Sequence, residues 1–228
     1  MTPDPTPLDV EVSASIGRVS ALFTRPADAR AQLVLAHGAG AGMRHAFLEG
    51  VTARLAENGI ACFRYQFPYW EAGRRAPNPP RVLTATVRAA VERAHAEAPD
   101  LPLFAGGKSL GGRMTSTAMA AEPLPAVRGL VFFGFPLHAP GKPGNERAAH
   151  LASVPCPMLF LQGTRDKLAD LDLFAPVFDE LGARATPHIV EGADHSFQVL
   201  KRSGRTHEEV LDELVAQVGA FADRVGSA

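Results

Sequence analysis

The stretch LFAGGKSLGGR, Leu103 to Arg113, decides the fold. Leu103 to Gly106 is a short apolar run that reads as a buried strand, and Leu110 to Ala121 reads as a helix. Between them lies Gly107-Lys108-Ser109-Leu110-Gly111, a G-x-S-x-G. A serine at a sharp strand-to-helix turn sits in strained backbone. Only small residues two positions before and after it let the chain pass itself. Gly107 and Gly111 fill those positions, with Gly106 and Gly112 adding room. The helix N-terminus sets partial positive charge beside any anion that forms at Ser109. Taken alone, the five residues also fit a glycine-rich turn with a serine N-cap. A phosphate loop would need Gly five residues before the Gly of Gly-Lys-Ser, and that position is Pro102.

Outward from this turn the pattern repeats. Continuous apolar runs occur at Gln32–Ala36, Ile60–Phe63, Val127–Phe133, Pro157–Leu161 and Pro187–Val190. Amphipathic helical spacing separates them at Phe47–Asn58, Pro80–Ala98, Asp170–Leu181 and Thr206–Val225. Such runs mean strands buried on both faces and joined by right-handed crossovers, hence a mostly parallel sheet with helices on both sides. Val10, Val12, Ala14 and Ile16 alternate with polar residues, and Arg18 to Thr24 follows Gly17. This pair reads as an antiparallel hairpin at one edge. The expected fold class is therefore α/β with eight strands. Residues 1–8, rich in proline, are expected to form a disordered lead, and residues 9–228 a single domain.

Two further residues stand at predicted strand ends. Asp166 follows PMLFLQ in Gly163-Thr164-Arg165-Asp166, 57 residues after Ser109. His195 follows PHIV in Gly192-Ala193-Asp194-His195, 29 residues later. Open α/β sheets place their ligands at the carboxyl ends of the strands. A serine nucleophile needs a base to take its proton and an acid to orient that base. Each residue alone fits an ordinary loop acid or loop histidine. Together, three residue types at three strand ends in the order Ser, Asp, His form a candidate triad. Oxyanion donors are expected from the Leu110 N–H and from the loop His37 to Gly42, at Ala39 or Gly40. His37 is expected to hold that loop by hydrogen bonds rather than to act as a base.

At these residues the chain resembles the α/β-hydrolase superfamily over nearly its whole length. The strings LVLAHGAGAGM, GGKSLGGR, LFLQGTRD and GADHSF are similar to a small cap-less branch that includes dienelactone-hydrolase-like bacterial proteins. The GKSLGGR elbow resembles one that also occurs in testis-expressed proteins and in a chromatin acetyltransferase complex subunit. The resemblance implies the α/β-hydrolase fold and a Ser109, Asp166, His195 triad. It supplies no substrate: dienelactone hydrolases use a cysteine where this chain has Ser109.

Some twenty residues, Gly134 to Val154, follow the sixth strand, too few for an independent cap core. A small loop lid or none is expected, with an open site. The loop from Gln66 to Pro79 leaves a strand at the same sheet edge and carries Tyr69, Trp70, Arg74 and Arg75. Tyr69 and Trp70 read either as contacts to an acyl or aromatic group or as a small core that pins the loop. Arg74 and Arg75 suit an anionic substrate or simply solvent. His138 reads as a pocket residue or a surface histidine. Lys108 reads either as an electrostatic neighbour of Ser109 or as the partner of an acid.

Composition narrows the field further. With 23 basic and 24 acidic residues the formal net charge is -1, so no nucleic-acid partner is expected. The longest strongly apolar stretch, Gly129 to Leu137, is too short to span a bilayer, and no membrane partner is expected. The first ten residues lack an apolar leader core, and Cys62 and Cys156 sit in apolar runs as free thiols, so a cytoplasmic location is expected. The expected activity is a serine hydrolase of the carboxylesterase kind, acting on a small-molecule ester, thioester or related acyl substrate. It would need neither metal nor organic cofactor and would work as a monomer or homodimer. The alternative is a non-catalytic binding or scaffold protein on the same fold.

Overall fold

The computed structural model describes residues 2–124 and 126–226. Eight strands form one sheet in the order β1-β2-β4-β3-β5-β6-β7-β8. These are β1 (Thr6–Ser13), β2 (Gly17–Thr24), β3 (Ala31–Ala36), β4 (Ile60–Tyr65), β5 (Leu103–Lys108), β6 (Val127–Phe133), β7 (Met158–Gly163) and β8 (Ala185–Val190). The β1–β2 and β2–β4 pairs are antiparallel and all others parallel. This is the mostly parallel sheet with an antiparallel N-terminal edge that the hydrophobic patterning predicts.

The central strands are apolar throughout because both faces are covered. Val34 and Ala36 of β3 join one core cluster with Leu83 and Val87 of α3 (Pro80–Glu97) and Met114 of α4 (Leu110–Ala121). Leu33 and Leu35, pointing the other way, join a second cluster with Val51 of α1 (Ala46–Glu57) and Leu214 of α6 (His207–Gly226). The period-2 geometry of a strand thus divides one run of residues between two cores. Residues 68–71 form a single turn, α2 (Pro68–Glu71), inside the segment expected to be irregular; proline at its first position is preorganised for a helix start. Helix α5 (Leu171–Leu181) precedes β8.

The N-terminal expectation needs correction. Residues 6–8 are not a disordered lead. Thr6 pairs with Phe23 and Leu8 with Ala21, so β1 begins three residues earlier than expected. Pro7 argued against a strand, but β1 is the sheet edge, where proline is tolerated. Met1 lies outside the described residues.

No cap is present. The segment after β6 forms a loop and a short 3₁₀ segment, Glu146–Ser153, which packs beside α4 through a 2.7 Å contact of His150 Nε2 with Ser116 Oγ. Because β3 to β8 all run parallel, their carboxyl ends lie at one edge of the sheet. Their following residues meet there, and this edge carries the site.

Candidate active site

Ser109 stands where β5 turns into α4. Its φ of 52° and ψ of −116° place a non-glycine residue in the left-handed half of backbone space, a conformation that costs about 1–3 kcal/mol and persists only where surroundings enforce it. Here the Ser109 N–H donates to the Phe133 carbonyl at 3.1 Å, and the Ser109 carbonyl accepts from Arg113 N–H at 3.1 Å. The two framing glycines let the chain fit. A Cβ on Gly107 would lie 2.6 Å from the Ala36 carbonyl oxygen, and one on Gly111 2.5 Å from the same atom.

Ser109 Oγ lies 2.9 Å from His195 Nε2, and His195 Nδ1 lies 2.7 Å from Asp166 Oδ2. The three residues predicted from strand ends are therefore brought together in one hydrogen-bonded row. Asp166 is almost fully buried and its oxygens are fully employed. Oδ2 also accepts from Gln162 Nε2 at 2.6 Å, and Oδ1 accepts from Leu168 N–H at 2.8 Å. Burial by itself would raise its pKa. The hydrogen bonds from His195 and Leu168 and the charge of Lys108 outweigh burial and hold the carboxyl below its ordinary range. An ionised Asp166 accepts from Nδ1–H, which leaves Nε2 as the imidazole acceptor facing Ser109. The row can therefore take a proton from the serine.

The loop carrying His195 is fixed locally. Asp194 Oδ1 accepts from Ser196 N–H at 2.8 Å and Gln198 N–H at 3.0 Å, an Asx turn. Phe197 has a φ of 60° and is buried against Phe47, with stacked rings 5.7 Å apart. Lys108 ties this loop to the elbow: Nζ donates to the His195 carbonyl at 2.5 Å, 5.5 Å from the Phe197 ring centroid and 5.9 Å from that of Phe47. Burial, opposed by Asp166 and Asp194, pushes the Lys108 pKa down to about 8. Sequence reasoning left the partner of Lys108 open. It is a backbone carbonyl rather than an acid.

The loop after β3 reaches Ser109 from the other side; a Cβ on Gly38 would stand 3.6 Å from the Ser109 Cβ. Leu110 N–H is the first of α4 and has no intrahelical acceptor. Of the two expected partners, Ala39 lines the cavity at Ser109 and Gly40 is not part of that lining.

His37 organises this loop from beneath, as expected. It is fully buried. Nε2 accepts from Phe67 N–H at 3.0 Å, so Nδ1 carries the proton and donates to the Gly38 carbonyl at 2.8 Å. Burial lowers its pKa to about 4, against the raising effect of the Gly38 bond. The unfolded chain, with His near 6.5, then binds a proton that the fold refuses. The stability contributed is fully present above about pH 6.5 and is lost as pH falls toward 4, at about 1.4 kcal/mol per pH unit. His150, also lowered to about 4, acts in the same direction. Denaturant titrations from pH 7 to 4 should show this decline, and a shallower slope in His37→Gln. Equal slopes would show that His37 is not the group responsible.

Several expected substrate contacts fall elsewhere. Tyr69 is buried and donates to the Gly38 carbonyl at 3.4 Å. Its ring and that of Trp70 pack edge-on around His37. A Cβ on Gly42 would meet Trp70 Nε1 at 2.4 Å. These aromatics form the small core that pins the loop, and they brace the loop after β3 from behind instead of facing the cavity. Arg74 and Arg75 are exposed and line no part of it. His138 is buried, its Nε2 accepting from Asp170 N–H at 3.3 Å, and it borders a separate cleft behind Asp166.

The cavity at Ser109, about 540 Å³, opens between α1 and the start of α6. Sequence reasoning missed this wall, including Phe47, Gly50 and Arg54, and also missed Gln162. The last had a signal: a polar residue closing an otherwise apolar strand. Among the described residues no three His, Cys, Asp or Glu side chains gather as a metal site, and no helix is long and apolar enough to cross a membrane.

Comparison with known proteins agrees with the fold. A dienelactone hydrolase from Anabaena variabilis superposes with a TM-score of 0.74 at 18% identity, over 98% of this chain and 99% of that one. An α/β serine hydrolase without lid from Xanthomonas campestris gives 0.72 at 19%, over 98% and 96%. A cold-adapted esterase from an Arctic intertidal metagenomic library gives 0.67 at 21%, over 97% and 93%. At such identities the likeness shows the fold alone. The family model of the alpha/beta hydrolase domain matches residues 29–223, the β3-to-α6 span that carries every residue of the row. The chain belongs to the α/β-hydrolase domain family.

Proposed function

We propose that this chain is a serine hydrolase that cleaves an ester, thioester or related acyl bond of a small molecule through an acyl-enzyme. The observation that carries the reading is the continuous Ser109–His195–Asp166 row at 2.9 and 2.7 Å. In this reading Ser109 Oγ attacks the carbonyl carbon as His195 Nε2 takes its proton. The carbonyl oxygen becomes an oxyanion held by the N–H groups of Leu110 and Ala39. His195 then returns the proton to the leaving group, and Asp166 stabilises the imidazolium meanwhile. Water, activated by the same histidine, releases the acyl group. The strained φ of Ser109 supports the reading, since a purely structural serine needs no such backbone.

The test is a fluorophosphonate probe with p-nitrophenyl acetate turnover. Wild type is expected to label and to turn over. Ser109→Ala is expected to lose labelling and to fall by roughly 10⁴-fold or more in kcat. A folded wild type that neither labels nor hydrolyses would instead point to the scaffold reading.

A further inference from the structure

We propose that the groove between α1 and α6 binds a linear, uncharged apolar chain of the substrate ester, and that Gly50 is the residue that admits it. The inference rests on the hydrolase reading above and names the substrate class. The groove starts at Ser109 and His195 and continues along one stripe of α1, through Phe47, Gly50 and Arg54. These positions are spaced three and four apart, so they share a face. From Phe47 to Arg54 the helix rises about 10 Å at 1.5 Å per residue, a length that suits an extended chain rather than a compact head group. Opposite stand Glu208 and Leu211 of α6.

The chemistry changes along this path. Phe47, Leu48 and Leu211 give the groove its apolar wall, and the Lys108 amine beside Ser109 is engaged by the His195 carbonyl. The far wall is Arg54, whose guanidinium is held by Glu208 and by Asp212 at 2.6 Å, and which also donates to the Gly50 carbonyl at 3.2 Å. With two carboxylates already on it, Arg54 presents no unmet positive charge. A substrate carboxylate would have to displace them, so the groove favours an uncharged chain. Gly50 faces Leu211 across the groove. A Cβ there would already stand 3.1 Å from Leu211 Cδ1. A larger side chain would turn Leu211 aside or occupy the groove.

The chain could belong to the acyl or the alkoxy half of the ester, and two substrate series separate these. One is p-nitrophenyl acetate, butyrate and octanoate; the other is n-butyl and n-octyl acetate. Wild type is expected to prefer the eight-carbon member of one series by at least about tenfold in kcat/KM. Gly50→Val is expected to lower the long-to-short ratio in that series by about tenfold or more, within the range by which apolar pockets discriminate chain length. Gly50→Ala should lower it less and serves if the valine variant does not fold. A wild type that labels with fluorophosphonate yet shows no chain-length preference in either series overturns the groove alone. So does a ratio unchanged by both variants. A wild type that neither labels nor hydrolyses any ester overturns both readings.

Discussion

Asp166→Asn is expected to lower kcat about 10⁴-fold with little change in KM or in the fold, as loss of the orienting carboxylate does in a serine triad. The expectation follows from the hydrogen bonds around this one side chain. Asp166 Oδ1 receives Leu168 N–H, and Oδ2 receives both Gln162 Nε2 and His195 Nδ1. An asparagine must put its NH₂ in one of these two places. At the first, it faces a backbone donor that cannot turn, leaving a buried N–H unmet at about 1–3 kcal/mol. At the second it faces Gln162, whose Oε1 is buried with no partner. A flip of the Gln162 amide would present that oxygen to the new NH₂ and satisfy both. The second arrangement therefore wins. It also obliges His195 to accept at Nδ1, so the imidazole proton moves to Nε2 and points at Ser109. The base then has no lone pair for the serine proton. Steady-state kinetics with p-nitrophenyl acetate, beside a thermal melt, decide the matter. A loss under tenfold in a folded variant would mean that Asp166 does not set the tautomer.

The row itself was legible because each member announces its place. Ser109, Asp166 and His195 each follow an apolar run short enough to be a buried strand, and parallel strands end together. Helix and strand limits differ from expectation by a few residues at most, chiefly where polar residues finish a strand: Gly107 and Lys108 extend β5, and Gln162 and Gly163 extend β7. The direction in which the cavity opens was not legible. Both the loop after β4 and the helix after β3 leave the same edge, and composition favoured the loop with Tyr69 and Trp70. What draws those rings inward is His37, a buried imidazole that needs a donor from Phe67 and an acceptor from Gly38. No local pattern reveals that requirement. The role of Lys108 was hidden for a related reason: its acceptor is a main-chain oxygen 87 residues away, and main-chain acceptors carry no sequence mark.

Gly111→Ala carries the second large expected effect, on stability and activity together. Within a helix the change should help, since alanine is favoured over glycine by about 1 kcal/mol. The surroundings reverse the sign. A Cβ at 111 would lie 2.5 Å from the Ala36 oxygen, 2.7 Å from the Ala36 carbonyl carbon and 2.7 Å from the His37 oxygen. All three are backbone atoms of the end of β3, with no side chain to swing away. Either α4 or the strand end must move, and overpacking of this kind costs about 1–3 kcal/mol, occasionally more. A net loss of about 2 kcal/mol corresponds to a Tm lower by about 4–8 °C in a chain this size. In the proposed mechanism the displacement also falls between the two oxyanion donors, because Leu110 begins α4 and Ala39 follows β3. Misplacing one donor costs about 10²-fold in kcat. Gly50→Ala is the matched control for stability: it is also a helix glycine, but its Cβ meets only side-chain ends, Leu211 Cδ1 at 3.1 Å and Arg54 Nη1 at 3.7 Å. It should melt no lower than wild type. If Gly111→Ala keeps both the wild-type Tm and the wild-type kcat, the close approach of α4 to β3 does not hold the hole together.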